Sequence, residues 1–289
     1  MKLDYPSGVK SQLIGMGDKK IHLLRCGESS KVVIFIHGLP VSSYMWRDVI
    51  AALGSDFSCY ALDLSGCGLS PAFENSWDVS VQVDLFKRWI QTDFPNQHVT
   101  LVGHGYGSII VHGLVTKLQD QVDCVVFYEG YLRPIKEMSE LGLPIHQLQS
   151  QLDASTFEQL IVDDNFMIDE FLPIVAEGQL DAKTLEVYRS PYQEKNARKA
   201  VYHMMSNLMD LNENAQVATN ILGALQVYKK ETLKKVLLYS MPGMTSNLLQ
   251  LDDFRSSYPN VVIDTVGEAF FLAPEFNAAL FSDMLRKHC

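Results

Sequence analysis

Val99-Thr-Leu-Val-Gly-His-Gly-Tyr-Gly-Ser108 is the stretch on which the fold turns. His98–Val102 has the composition of a short buried strand, and a helical pattern runs from Gly107 to Leu118. Between them stands Gly103-His-Gly-Tyr-Gly107. In a strand-to-helix turn of the form G-x-Nuc-x-G, the outer glycines let strand and helix approach closely. The middle residue is held exposed at the apex in strained geometry. Here the middle residue is Gly105. It tolerates positive φ at little cost, but it has no side chain with which to attack a substrate. A glycine-rich βα turn without chemistry would be spelled the same way, so the surrounding sequence has to decide.

Outward from this turn, apolar runs of strand length recur at Lys31–Ile36, Ser58–Leu62, Cys124–Tyr128, Val236–Tyr239 and Val261–Val266. Their near-continuous apolar character fits strands covered on both faces. Helical segments lie between them. In Val79–Phe94, Leu85, Phe86, Trp89 and Ile90 form one stripe, and Asn277–Lys287 is a further candidate. The alternation predicts an α/β fold with a doubly wound, mostly parallel sheet. Gln12–Met16 and Lys20–Arg25 are expected as early antiparallel strands. From about Arg133 to Ala215 the strand rhythm stops. Helices are expected at Asp153–Leu160, Asn165–Leu172 and Asn196–Leu208, with breaks at Pro144, Pro173 and Pro191. The expected organisation is a core of residues 1–132 and 216–289 with a helical cap at 133–215. Such a cap belongs over the strand C-termini, where open α/β sheets bind ligands.

Composition narrows the function classes without choosing one. The 289 residues are 47% hydrophobic and 20% charged, the balance of a globular protein. With 24 Lys+Arg against 34 Asp+Glu, the net charge is −10 and there is no basic block. A nucleic-acid or membrane-surface partner is therefore not expected. Five cysteines are scattered without CxxC or zinc spacing, which suggests reduced thiols and a cytoplasmic location. No metal or nucleotide motif is present, so no cofactor is implied.

Four more motifs follow the strands in order. They are His37-Gly-Leu-Pro-Val-Ser-Ser-Tyr-Met-Trp-Arg47, Asp63-Leu-Ser-Gly-Cys-Gly-Leu-Ser70, Glu129-Gly-Tyr-Leu-Arg-Pro-Ile135 and Ser240-Met-Pro-Gly243. Together with the turn at Gly105 they resemble the α/β-hydrolases, and within them the haloalkane dehalogenase and Renilla-type luciferase branch. The resemblance covers roughly residues 10–289, and the HG-x-P-x-SSY-x-WR run is its most specific part.

That branch hydrolyses carbon–halogen bonds with an Asp nucleophile on the elbow, a His base and a Glu or Asp partner. By motif position, the resemblance puts the nucleophile at Gly105 and the halide-binding Trp at Tyr106. The second halide binder falls at Leu39, and the base, in a G-x-x-x-H-x-x-x-E spacing from Gly267 to Glu275, at Phe271, with Phe270 no better. Only the acid matches, at Glu129. Without a nucleophile and a base to activate water, neither dehalogenation nor ordinary ester hydrolysis is expected. The backbone N–H groups of Leu39 and Tyr106 would still form the oxyanion pair, with the Tyr106 hydroxyl as a further donor. A small apolar or carbonyl-bearing ligand is one expected partner, and a protein is another.

Glu129 is the candidate acid or base; its other reading is a carboxylate paired with Arg133, a backbone N–H or water. His104, His37, His112, Cys67, Ser108, Asp63 and the Met204, Met205, Met209 stripe read mainly as packing or bracing. His146 and His203 could reach a pocket from the cap. Three functions remain open at this level: a ligand- or partner-binding pseudoenzyme, a repurposed lyase, isomerase or cyclase using Glu129, and a scaffold subunit beside an active partner.

Overall fold

The computed structural model describes residues 3–137, 140 and 154–289. Its eight-stranded sheet has the order β1-β2-β4-β3-β5-β6-β7-β8. The strands are β1 (Lys10–Met16), β2 (Lys19–Cys26), β3 (Val32–Ile36), β4 (Ser58–Leu62), β5 (Val99–His104), β6 (Val122–Tyr128), β7 (Lys234–Pro242) and β8 (Val261–Ala269). β1 and β2 form an antiparallel hairpin, and β2 lies antiparallel to β4. From β4 to β8 every pairing is parallel. This is the expected α/β fold with a doubly wound, mostly parallel sheet.

Both faces are covered. Helices Val79–Asp93, Gly107–Leu118 and Gln216–Val227 pack together, and Arg47–Leu53 packs with Ala278–His288. All five residues of β3 are buried, which is why its sequence is a continuous apolar run. β7 and β8 extend three residues past the apolar runs read from sequence, because their last pairs, Met241 with Glu268 and Pro242 with Ala269, include the exposed Met241, Pro242 and Glu268.

Strand order reverses at β3, whose neighbours are β4 on one side and β5 on the other. That reversal opens a crevice at the strand C-termini between the loops after β3 and β5. The crevice is tight, since a Cβ on Gly38 would stand 2.9 Å from His104 Nδ1.

Between β6 and β7 the regular elements among the described residues are helices. Lys195–Leu208 and Ala182–Arg189 are regular. Gln159–Asp163 and Met167–Phe171 instead wind in wider turns, with Asp164 N–H donating to Gln159 O at 3.0 Å. Pro144 and His146 lie outside the described residues. No helix among the described residues is long and apolar enough to cross a membrane.

Candidate functional site

Gly105 stands at the apex of the turn between β5 and the helix Gly107–Leu118, with φ +49°. Its N–H donates to Tyr128 O (3.3 Å), and its carbonyl accepts from Ser108 N–H (3.0 Å) and the Ser108 hydroxyl (2.7 Å). Gly107 is required for another reason, because a Cβ there would stand 2.3 Å from Ile36 O. Above the apex lies the Phe271 ring. A Cβ on Gly105 would meet Phe271 Cζ at 2.9 Å, closer than real Cβ contacts.

His104 supports that ring from the side, with ring centroids 4.2 Å apart. Its Nδ1 accepts from Gly38 N–H (3.1 Å), and its Nε2–H therefore donates to Phe271 O (3.0 Å). Burial pushes its pKa down to about 3. Both nitrogens are engaged and the ring is neutral, so His104 holds the turn together.

Glu129 follows β6, at φ +48° and fully buried. Its Oε2 accepts from the N–H groups of Met244 (2.9 Å), Thr245 (2.5 Å) and Ser246 (3.1 Å), with the Thr245 hydroxyl 3.0 Å away. Burial raises the carboxyl pKa and these donors oppose the rise. Oε1 is buried with no hydrogen-bond partner. Of the partners considered from sequence, the backbone N–H is the one found. Arg133 turns away to Glu140, at 3.6 Å.

Among the described residues, neither the Leu39 N–H nor the Tyr106 N–H has an acceptor. No described protein group therefore occupies the two amides expected as an oxyanion pair. The Tyr106 hydroxyl is buried without a hydrogen bond, and nearby Asn207 donates to Trp77 O (3.3 Å). The Tyr192 hydroxyl is likewise buried and unpartnered. Cys67 lies beside the Tyr192 hydroxyl. Burial raises its thiol to about 12, which leaves it a protonated packing group.

A buried network escaped the sequence reading. Arg47 Nη1 donates to Glu275 Oε1 at 2.8 Å and lies over the Tyr44 ring at 4.0 Å, and the Tyr188 hydroxyl donates to the same Glu275 oxygen. Burial raises the Glu275 pKa, against the pull of Arg47. Arg47 and Glu275 had each been read as part of a motif, 228 residues apart, and only the fold joins them. Tyr188 carries no motif at all.

The remaining candidates have structural partners. His37 donates from Nδ1 to Gly38 O (2.7 Å) and accepts from Leu64 N–H (2.9 Å). His112 donates to Tyr131 O (2.8 Å) and accepts from the Tyr228 hydroxyl (2.7 Å). Asp63 accepts from Ser43 N–H (2.6 Å) and Leu69 N–H (2.8 Å). His203 stacks on Trp77 at 4.3 Å, and Met204 and Met205 are buried.

A family model described as the α/β hydrolase fold matches residues 31–160. A haloalkane dehalogenase of Agrobacterium fabrum is 24% identical over 271 residues, covering 94% of this chain and 88% of that protein. A coelenterazine h 2-monooxygenase of Renilla reniformis is 23% identical over 225 residues, covering 76% and 72%. In structure, the haloalkane dehalogenase DatA from Agrobacterium tumefaciens superposes with a TM-score of 0.87 at 23% identity, over 97% of this chain and 96% of that one. DbeA from Bradyrhizobium elkani gives 0.88 at 21% identity, over 96% and 97%. These structural likenesses speak for the fold, and the sequence relatives for the branch. With the motifs standing in order around the turn at Gly105, the chain has the α/β-hydrolase fold and is similar over most of its length to haloalkane dehalogenases and to the Renilla enzyme.

Proposed function

We propose that the elbow of this chain is non-hydrolytic, a pseudoenzyme site that binds a small apolar or carbonyl-bearing molecule. One observation carries the reading: the tip of the Phe271 ring lies against the place where a side chain on Gly105 would begin, 2.9 Å from its Cβ. By motif position these two residues replace nucleophile and base, so neither an alkyl-enzyme nor an activated water can form at the turn. Loss of single members of such a unit costs several orders of magnitude in rate. The unpartnered Tyr106 and Tyr192 hydroxyls and the Leu39 and Tyr106 N–H groups are what a carbonyl or carboxylate oxygen would engage. The five free cysteines fit a reducing compartment, and a cytoplasmic location is part of the proposal.

The test is halide release from 1-chlorobutane and 1-bromobutane, with native mass spectrometry of protein purified from its own host. No halide above the blank and a retained small molecule are expected. Turnover that disappears on substitution of Tyr106 or Phe271 would overturn the reading.

A second reading rests on Glu129 Oε1, a buried carboxylate oxygen with no partner. It makes Glu129 the acid or base of a cofactor-free lyase, isomerase or cyclase step. Glu129→Gln separates the two, since it abolishes turnover in an enzyme and only shifts ligand affinity in a binder. The anchoring of Oε2 by three N–H groups weighs toward the first reading.

A further inference from the structure

The edge hairpin carries a side-chain chain that the turn at Gly105 lacks. Ser11 Oγ lies 2.8 Å from His22 Nε2, and His22 Nδ1 lies 2.7 Å from Asp63 Oδ2. We propose that Ser11, His22 and Asp63 form a second site, in which the Ser11 hydroxyl is acylated by small activated esters. This goes beyond the reading of the elbow and does not depend on it.

The protonation pattern follows from the partners. Ionised Asp63 can only accept, so His22 donates from Nδ1, and in the imidazole form the Nε2 lone pair faces the Ser11 hydroxyl. A nucleophile in reach of a base, with the base oriented by a third group, is the signature of an activated serine, recognised by geometry and not by sequence position. The gradient of exposure also fits. Asp63 and His22 are buried, at 1% and 4% exposure, whereas Ser11 is exposed on an edge strand. Asp63 is held by Ser43 N–H and Leu69 N–H as well as by His22. These bonds outweigh its burial and keep the carboxyl below its ordinary pKa, so it is a fixed anion at neutral pH. The His22 backbone is pinned in turn, its N–H donating to the Ser70 hydroxyl at 2.9 Å.

A shallow depression beside this chain is lined by Tyr5, His22, Tyr44, Asp63, Leu69 and Pro191, among others. Its shallowness limits the acyl group to a short one. Tyr5 interacts through its hydroxyl with Ser11, and burial raises its pKa, so it stays protonated and can donate to a developing oxyanion.

The step balances without any added reagent. Ser11 Oγ attacks the carbonyl carbon of the ester as its proton passes to His22 Nε2. The tetrahedral species collapses, the C–O bond to the alcohol breaks, and that alcohol leaves with the proton from His22. Water then cleaves the acyl-serine by the same route. Ser11 and His22 are the catalytic residues, and Asp63 is a positioning residue.

The experiment treats the full chain with an alkyl fluorophosphonate and, separately, with p-nitrophenyl acetate, and locates adducts by peptide mass mapping. The adduct is expected on Ser11 and lost in Ser11→Ala, a change at an exposed position that leaves the fold intact. Ser11 should react at least about 100-fold faster than exposed Ser256, the scale of general-base assistance. Asp63→Asn should slow labelling while circular dichroism is unchanged; if that buried variant unfolds, the Ser11→Ala and Ser256 comparisons decide. Labelling of Ser11 no faster than of Ser256, or none, overturns the proposal. Halide release remains the separate test of the elbow.

Discussion

Two neighbouring turns of the sheet hold a residue in the left-handed region, Gly105 after β5 at φ +49° and Glu129 after β6 at φ +48°. The backbone is nearly the same and the outcome opposite. At Gly105 the conformation costs little, and an apolar ring lies where a side chain would project. At Glu129 a side chain is present, its backbone is strained by about 1–2 kcal/mol, and hydrogen bonds from one loop repay the strain. The difference separates what a fold needs from what a reaction needs. The carboxylate at Glu129 anchors the loop Gly243–Ser246 whether or not chemistry occurs. A nucleophile at Gly105 would have no such second role.

The largest expected effect is therefore at Glu129. Glu129→Ala removes the acceptor of three N–H groups and keeps the strained φ. It should lower unfolding free energy by about 3–5 kcal/mol in urea titrations. Glu129→Gln, which retains an oxygen acceptor, should cost less than half as much, and Glu129→Gly about 1 kcal/mol less than Ala. A cost below about 1 kcal/mol for Ala would break the comparison, because the carboxylate would then not be what holds the loop.

Next is the ring above Gly105. Gly105→Ala should cost about 2–3 kcal/mol, from positive φ and from the contact with Phe271 Cζ. Phe271→Leu clears part of that space. In a double-mutant cycle the two changes should couple favourably by about 1 kcal/mol, since they share one contact. Simple additivity would mean that the ring is not what excludes a side chain.

The same pair of turns shows what could be read beforehand. The glycine triplet and the parallel strands were legible, because local composition and β-α alternation carry them. Phe271 was placed by motif spacing, but spacing cannot say that its ring lies on Gly105, because that contact joins residues 166 positions apart. Glu129 was legible as a candidate acid or base, yet its partners Met244–Ser246 carry no motif of their own. The Arg47–Glu275–Tyr188 network stayed hidden for the same reason. Single residues of each motif could be named, whereas their partners come from loops whose proximity only the strand order creates.

The smallest expected effect, a change in slope, sets the two turns against each other across the acid range. His104 braces the elbow in its neutral form, with its pKa moved from 6.5 to about 3. Below pH 6.5 the unfolded chain takes up a proton there that the folded chain refuses. Stability is therefore full above pH 6.5 and falls as pH drops toward about 3, by up to about 1.4 kcal/mol per pH unit from this residue. Glu129 runs the other way. Its folded pKa is raised above 4.5, so the stability it contributes is full below 4.5 and is lost as pH rises through the folded value. His112, lowered to about 4 by burial, adds to the His104 trend. Between about pH 6 and pH 4, unfolding free energy should thus decline with acid. His104→Gln, whose amide can keep both the Gly38 and the Phe271 bonds, should flatten that decline by about 1 kcal/mol per pH unit, and Glu129→Gln should steepen it. Urea titrations at several pH values measure both slopes. An unchanged slope in His104→Gln would mean that the imidazole takes up a proton in the folded protein. The packing of a neutral His104 against Phe271, which closes the space above Gly105, would then be lost from the account of the elbow.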